Sequence, residues 1–127
     1  MSKGIVDACA LITYLLDRNP AAAMPNAYPI MRHGDAYVSP MVVIEITRLS
    51  VLGQLPNLPA GSLSALLRHR GFLYLPITWE EAEASARLPR HHKDPYDRMY
   101  VAHALHHQMP VLTCDTVIPQ YGVQTIW

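Results

Sequence analysis

Four carboxylates of this sequence stand at positions where an apolar residue would be expected. They are Asp7, Glu45, Asp97 and Asp115. Asp7 and Asp115 each end a short apolar run, Glu45 interrupts another, and Asp97 opens a helical-looking stretch. An ionised carboxylate is costly to bury alone, so it must meet a cation or reach water. We therefore predict that the fold gathers all four as the catalytic ligands of a metal ion.

Clustered carboxylates suit Mg²⁺ or Mn²⁺, which are hard cations that prefer oxygen ligands and retain several waters. A retained water can lose a proton and attack a phosphodiester, while the ion screens the charge that develops on phosphorus. The free acids would repel a polyanion until the metal bound. We therefore expect metal and substrate to bind cooperatively.

Each acid also has an ordinary explanation when it is taken singly. Glu45 lies on a helix face that is otherwise apolar, but a surface ion pair with Arg48 is an alternative. Asp7 and Asp115 could simply be acids that begin loops. The apolar neighbours of Glu45 on its helix face are Met41, Val42, Leu49 and Leu52.

Asp94 and Asp97 together form a good helix start, and capping alone would explain both residues. Asp97 also shares a helix face with Val101 and Ala104, which should turn its side chain toward the core. We therefore assign Asp94 to capping and Asp97 to the metal site.

The composition describes one globular domain, residues 1–127, with 50% hydrophobic residues. Ten Lys and Arg balance ten Asp and Glu, so any contact with a polyanion must be local. Two cysteines, Cys9 and Cys114, are too few for a disulfide framework. We expect them to be reduced, largely buried core fillers without zinc. Because no signal peptide or membrane span is visible, we expect a cytoplasmic protein that does not bind membranes.

Short apolar strands alternate with helices along the chain, which predicts a parallel sheet covered by helices on both faces. The predicted strands are residues 5–6, 36–39, 73–77, 111–114 and 123–126. The predicted helices are residues 8–17, a second one through Met31, one from Ser39 to Gly53, residues 62–69, one from Thr78 with Glu81 in a capping box, and one from Asp94 that stops before Pro110. Pro56 and Pro59 mark a loop. Ligands of such sheets bind beyond the carboxyl ends of the strands, where Asp7 and Asp115 lie.

Residues 88–104, with Asp94-Pro95-Tyr96-Asp97-Arg98 at their centre, resemble the best-marked stretch of the PIN-domain ribonucleases, and are most similar to the VapC-type toxins of toxin–antitoxin pairs. Residues 6–8, 39–53, 113–115 and 121–123 are also similar to that pattern. The resemblance implies an α/β/α sandwich with a mostly parallel sheet of four to five strands. It also implies RNA cleavage with Mg²⁺ or Mn²⁺ held by Asp7, Glu45, Asp97 and, in many members of the family, a fourth acid, here Asp115. A homodimer and inhibition by an antitoxin are implied as well.

Cations flank the acidic helix start and form a local positive patch for RNA phosphates, made of Arg90, His91, His92, Lys93 and Arg98. We predict that Arg90, Lys93 and Arg98, together with Thr113, bind the substrate. The alternative is a solvated loop. Thr113 either orients a metal-bound water or is an ordinary strand residue. His103, His106 and His107 have the spacing of helical metal ligands, but a polar helix face explains them better.

An antitoxin segment with arginine or lysine and apolar anchors is expected to reach the acids, and residues 11–31 are the expected groove for those anchors. The alternative is that residues 11–31 fill the monomer core. Other functions stay open: a PIN nuclease without an antitoxin, a non-catalytic PIN-like domain, and an aspartyl-phosphate protein with Asp7 as nucleophile. A dehalogenase-type phosphatase would place a second acid where Cys9 stands, and a receiver would have a lysine after Asp115.

Overall fold

A computed structural model describes residues 2–56, 58 and 62–127, and these residues contain one five-stranded sheet. The strands are β1 (Lys3–Val6), β2 (Asp35–Val38), β3 (Leu73–Tyr74), β4 (Val111–Leu112) and β5 (Thr125–Ile126). Their order is β3-β2-β1-β4-β5, and every neighbouring pair is parallel. The predicted α/β architecture with a parallel sheet is therefore confirmed, and β1 lies at its centre.

Helices connect the strands, and seven α-helices fall within the described part of the chain. They are α1 (Ala8–Leu16), α2 (Pro20–Ala23), α3 (Tyr28–His33), α4 (Pro40–Val51), α5 (Leu63–His69), α6 (Trp79–Arg87) and α7 (Pro95–His107). A 3-10 helix, Ile118–Tyr121, precedes β5. None of these helices combines the length and the apolar character that a membrane crossing requires.

The helix starts follow the capping rules that the sequence predicted. The side chains of Ser39, Thr78 and Asp94 each accept a hydrogen bond from a backbone N–H in the first turn of their helices. Thr78 and Glu81 form the reciprocal capping box. Asp7 caps α1 in the same way, which the sequence reading had not assigned to it.

Several boundaries differ from the prediction. The helix predicted through Met31 is divided into α2 and α3, and Pro25 lies in the break. β3 ends at Tyr74, since Pro76 has no N–H to extend the ladder. α4 ends at Val51, and Gly53 follows it in the left-handed region at a φ of 75°. Pro59, predicted to lie in a loop, is outside the described residues.

The core is built on β1, because it has a strand on each side and helices over both faces. Ile5 and Val6 are fully buried and pack with Leu11 of α1 and Val101 of α7. Such continuous burial is typical of a central parallel strand. Helices that pack on this rigid centre hold their N-terminal ends at the carboxyl edge of the sheet.

Candidate functional site

The four predicted acids are brought to the carboxyl edge of the sheet. Asp7 directly follows β1, and Asp115 lies three residues beyond the end of β4. Asp97 lies in the first turn of α7, which returns the chain to the start of β4, and Glu45 lies on α4, which follows β2. The charges of Glu45 and Asp115 act to raise the pKa of both Asp7 and Asp97, which places the four carboxyls in one electrostatic cluster.

Asp7 is the most buried of these acids, with 3% of its surface exposed. One oxygen accepts a hydrogen bond of 2.8 Å from the N–H of Ala10, and the nearby Thr113 side chain also acts to lower the pKa of Asp7. Burial nevertheless raises the pKa of Asp7 to about 6, and the charges of Glu45 and Asp115 act in the same direction. Asp7 is therefore a carboxylate without enough compensating positive charge.

Asp97 is a second carboxylate whose pKa is raised because positive charge does not fully compensate its burial. Burial and the charge of Asp94 raise the pKa of Asp97 to about 7, and only His92 among the causes of its shift acts to lower it. Burial also raises the pKa of Glu45, although the Tyr100 hydroxyl donates a 2.8 Å hydrogen bond to this carboxylate. No ion pair joins Glu45 to Arg48 in the described part of the chain, so that alternative for Glu45 is wrong.

His92 is a member of the cluster that the sequence reading placed only in a cationic loop. Its Nε2 lies 2.9 Å from an Asp115 oxygen and 3.2 Å from an Asp97 oxygen. Burial would lower the pKa of His92, but the hydrogen bond to Asp115 and the charges of Asp97 and Asp115 raise it above its usual value. The same hydrogen bond holds the pKa of Asp115 below its usual range against the effect of burial.

The loop that carries His92 is held by Tyr121, whose side chain sequence reasoning did not assign to the site. The Tyr121 hydroxyl accepts a 2.7 Å hydrogen bond from the backbone N–H of His92 and donates one of 2.9 Å to the Pro89 carbonyl. The ring of His91 packs edge-on against the Tyr121 ring, with the two centroids 4.9 Å apart. Tyr121 therefore fixes the loop from outside the acid cluster.

Arg98 has a different environment from the phosphate-binding one that the sequence predicted. All five N–H groups of its guanidinium donate to backbone carbonyls, at distances of 2.8–3.2 Å. The accepting residues are Ser85, Ala86, Leu88, Pro89 and His92. Most of these carbonyls belong to the C-terminal end of α6 and the residues after it, where helical partners are lacking. Arg98 therefore has no N–H left for a phosphate, and it instead fixes the loop that leads to His92.

Of the other residues predicted to contact RNA, Arg90 and Lys93 are exposed and Thr113 is buried. Arg90 and Lys93 are exposed beside the acid cluster, which is the placement that phosphate binding requires. Thr113 is 2% exposed; its hydroxyl accepts a 2.9 Å hydrogen bond from the Asp115 N–H, and its side chain acts to lower the pKa of Asp7. Thr113 thus connects two of the acids and is more than an ordinary strand residue.

His103 is buried rather than part of a polar helix face, which corrects the prediction for this residue. Its Nδ1 is hydrogen-bonded to Glu81, and its Nε2 lies 3.0 Å from the Ser39 hydroxyl. Burial lowers the pKa of His103, and hydrogen bonds from His103 and Thr78 outweigh burial to lower the pKa of Glu81. A neutral imidazole thus donates to a carboxylate and accepts from Ser39, which ties α6, α7 and the start of α4 together.

The cysteine prediction is corrected in one respect. Cys9 and Cys114 carry free thiols, as expected, but both side chains are exposed rather than largely buried. Their Sγ atoms are 3.4 Å apart. Although the residue is exposed, partial desolvation of the Cys9 sulfur and its hydrogen bond with Cys114 raise the pKa of Cys9 to about 12, so this thiol is protonated at neutral pH.

The segment expected to form the antitoxin groove contributes largely to the core. Its buried members are Leu11, Met24, Ala27, Ile30 and Met31. Leu15 and Leu16 of α1 are only half-buried. These two leucines are apolar side chains of the segment that remain partly accessible to a partner.

Comparison with known proteins shows the family to which the chain belongs. The PIN domain model matches residues 4–124, so the chain belongs to the PIN-domain family, a family of nucleases. No curated protein sequence matches the chain significantly.

Three solved structures share the fold. A structure of FitAB bound to IR36 DNA fragment has a TM-score of 0.63 and 21% identity, over 96% of this chain and 92% of that chain. FitAcB from Neisseria gonorrhoeae has a TM-score of 0.61 and 19% identity, over 97% and 96%. A toxin–antitoxin complex from Klebsiella pneumoniae has a TM-score of 0.59 and 20% identity, over 89% and 87%.

Proposed function

We propose that this protein is a metal-dependent endoribonuclease and the toxin of a toxin–antitoxin pair. The observation that carries the proposal is the group of carboxylates at the carboxyl edge of the sheet, where burial and neighbouring acids raise the pKa of Asp7 and Asp97. Burial of like charges is unfavourable, and evolved sites accept that cost where a ligand supplies the missing positive charge. Strongly perturbed acids beside an accessible loop of cations fit a nuclease of the PIN family.

The residues fit a divalent cation by their chemistry. Asp7, Glu45, Asp97 and Asp115 offer only oxygen ligands, and His92, Asp97 and Asp115 have ligand atoms within 4.8 Å of one another. Mg²⁺ or Mn²⁺, when bound, supplies an activated water and screens the charge on the phosphorus.

The chain's own residues prepare this site. The Tyr100 hydroxyl donates a hydrogen bond to Glu45 and the Ala10 N–H donates one to Asp7, and these contacts fix the direction of the free oxygens. Arg90 and Lys93 are free to hold the RNA phosphates on either side of the cleaved bond. Arg98 and Tyr121 hold in place the loop that carries Arg90 and Lys93.

An antitoxin is the partner that the acid cluster fits best. The acids would attract a guanidinium, which pairs with carboxylates through two parallel hydrogen bonds. One of the similar structures is a toxin–antitoxin complex, and the other two are structures of FitAB and FitAcB. The toxin–antitoxin complex supports a partner of this kind for our chain. We also propose that the protein is a homodimer, which sedimentation of the purified protein would test. We propose that it acts in the cytoplasm.

The aspartyl-phosphate alternative is disfavoured by the environment of Asp7. This carboxylate is buried and already accepts a helix-capping hydrogen bond, whereas a nucleophile must reach a phosphoryl group in the open. A PIN nuclease without an antitoxin uses the same acids, and the gene neighbourhood distinguishes it from a toxin.

The activity is tested by incubating the purified protein with end-labelled tRNA, rRNA fragments and single-stranded DNA. We expect internal cleavage of RNA with Mn²⁺ or Mg²⁺, none with EDTA, and no hydrolysis of a small phosphomonoester such as p-nitrophenyl phosphate. Cleavage that continues in EDTA, or phosphomonoester hydrolysis without RNA cleavage, would contradict the proposal.

The antitoxin is tested by a pulldown with the product of the adjoining gene. The pulldown is repeated with Leu15 and Leu16 changed to serine in a protein whose circular dichroism is unchanged. Weakened capture would assign this pair to the interface, and undiminished capture would remove it. Exposed Ala21 changed to serine serves as the matched control.

A further inference from the structure

Cys9 and Cys114 are a pair of exposed thiols whose sulfurs are 3.4 Å apart, although 105 positions separate them in the chain. The nuclease chemistry proposed above uses neither of them. Core packing does not explain the pair either, because both side chains reach solvent. An exposed, preassembled dithiol needs another explanation.

The sheet holds the two thiols together. β1 and β4 are neighbours, with Val6 opposite Leu112 in the ladder. The Asp7 N–H continues this pairing with a 3.3 Å hydrogen bond to the Leu112 carbonyl. Cys9 and Cys114 follow within three residues of that pair, so the pairing of β1 with β4 at the centre of the sheet holds them near each other.

We propose that Cys9 and Cys114 form a redox-responsive dithiol, which closes to a disulfide when the folded protein meets a peroxide and reopens with a thiol reductant. A disulfide bond is about 2.0 Å long, so the sulfurs must approach by about 1.4 Å from their 3.4 Å separation. Side-chain rotation with a small backbone adjustment covers a movement of this size.

The reaction is balanced with hydrogen peroxide as the oxidant. One cysteine sulfur attacks a peroxide oxygen, the O–O bond breaks, and a sulfenic acid and one water result. The second thiol attacks the sulfenic sulfur, the S–O bond breaks, and a second water leaves with the thiol proton. Two thiols and one peroxide thus give one disulfide and two waters.

The bond would act on the acid cluster, and this part of the inference rests on the proposed function. Cys9 lies two residues after Asp7, and Cys114 directly precedes Asp115. Metal ligands must keep their distances within about 0.2 Å, whereas the sulfurs move by more than 1 Å. We expect the oxidised protein to bind Mn²⁺ at least about fivefold more weakly than the reduced protein.

The disulfide is tested on the reduced, metal-free protein with hydrogen peroxide, by counting thiols and by intact mass. We expect loss of both thiols, a mass lower by two hydrogen atoms, a monomeric chain on a non-reducing gel, and recovery with dithiothreitol. Closure should be at least about tenfold faster in the folded protein than in urea, because the fold raises the effective concentration of one thiol at the other.

The variants Cys9→Ser and Cys114→Ser are matched controls that cannot close the bridge. Oxidation should raise the melting temperature of the wild type by at least about 5 °C, since the bond closes a long loop, and should not raise that of either variant. Two remaining thiols after peroxide, intermolecular dimers as the main product, or closure as slow as in urea would each overturn the proposed dithiol.

Mn²⁺ titration of the oxidised and reduced wild type tests the effect on the acids. If the oxidised and reduced proteins bound Mn²⁺ with the same affinity, the proposed effect of the disulfide on the metal site would be wrong. If the reduced wild type bound no Mn²⁺, the proposed nuclease would fail, while mass and melting temperature would still decide whether the disulfide forms.

Discussion

The imidazole Nε2 of His92 lies 2.9 Å from a carboxylate oxygen of Asp115, and the same nitrogen is 3.2 Å from Asp97. One histidine therefore supplies the positive charge that two acids of the cluster lack. The acids hold this imidazole in its protonated form to a higher pH than usual, because they raise its pKa. His92 thus stands where a divalent cation would be expected to bind.

His92→Gln should raise the affinity for Mn²⁺, because protonated His92 competes with the metal for Asp97 and Asp115. The gain relative to wild type should be larger at pH 6 than at pH 8, where less of the imidazole is charged. Calorimetric titration at both pH values measures it. His91→Gln, a change in the neighbouring exposed histidine, should leave the affinity as it is. Weaker Mn²⁺ binding by His92→Gln at both pH values would instead make His92 a ligand.

Asp7→Asn should stabilise the metal-free protein at neutral pH. The folded pKa of Asp7 is raised to about 6, so between about pH 4 and 6 the folded state binds a proton that the unfolded chain has lost. The contribution of Asp7 to stability therefore declines as pH rises through this interval. Asparagine keeps the helix cap without ionising, so the variant should gain on the order of 2–3 kcal/mol at pH 7.5 and almost nothing near pH 4.

Urea unfolding in EDTA at several pH values tests this expectation for Asp7. Asp35→Asn, which changes an exposed carboxylate of β2, should show no such gain. An Asp7→Asn protein that is no more stable than wild type at pH 7.5 would refute the proposed burial of an uncompensated charge.

Arg98→Lys should destabilise the protein by about 2–4 kcal/mol, since lysine has three donors for the five carbonyls that arginine satisfies. Arg87→Lys is the matched control. Arg87 is 82% exposed and makes only a 3.6 Å ion pair with Glu83, so the change should cost less than about 0.5 kcal/mol. Equal stability of the two variants in urea would show that the carbonyl contacts of Arg98 contribute little.

His103→Ala should cost about 3 kcal/mol, because it leaves the buried Glu81 carboxylate without its main partner. Glu81→Gln in the same protein should recover part of that loss, since a neutral amide is cheaper to bury than a charge. Thermal and urea unfolding measure both effects, with exposed His106→Ala as the control. Strictly additive losses in the double variant would exclude the proposed coupling between His103 and Glu81.

The helix-capping residues were predictable from the sequence, because a cap and the backbone group it contacts are close together in the chain. Ser39, Thr78 and Asp94 act on backbone groups within three residues, so their roles do not depend on the rest of the fold. The strand ends that carry Asp7 and Asp115 were visible for the same reason. Their convergence followed from the general property that parallel strands end at one edge.

The roles of Arg98 and His103 depend on contacts that sequence spacing does not show. Arg98 reaches carbonyls 6–13 residues earlier in the chain. A weak signal existed, because Leu88-Pro89 ends a helix and leaves carbonyls that an arginine can satisfy. The partners of His103 lie 22 and 64 residues away, on two other helices. The Cys9–Cys114 contact likewise required knowledge that β1 and β4 are neighbours.

Asp97→Asn tests the central claim most directly, because the charges of Glu45 and Asp115 act on this acid and its substitution retains the size of the side chain. The measurement is the single-turnover rate of RNA cleavage in Mn²⁺ by wild type and by a variant with the same melting curve shape and circular dichroism. We expect the rate to fall by at least about a thousandfold. A well-folded Asp97→Asn protein that cleaves RNA at the wild-type rate would contradict the assignment of the acid cluster as the catalytic metal site.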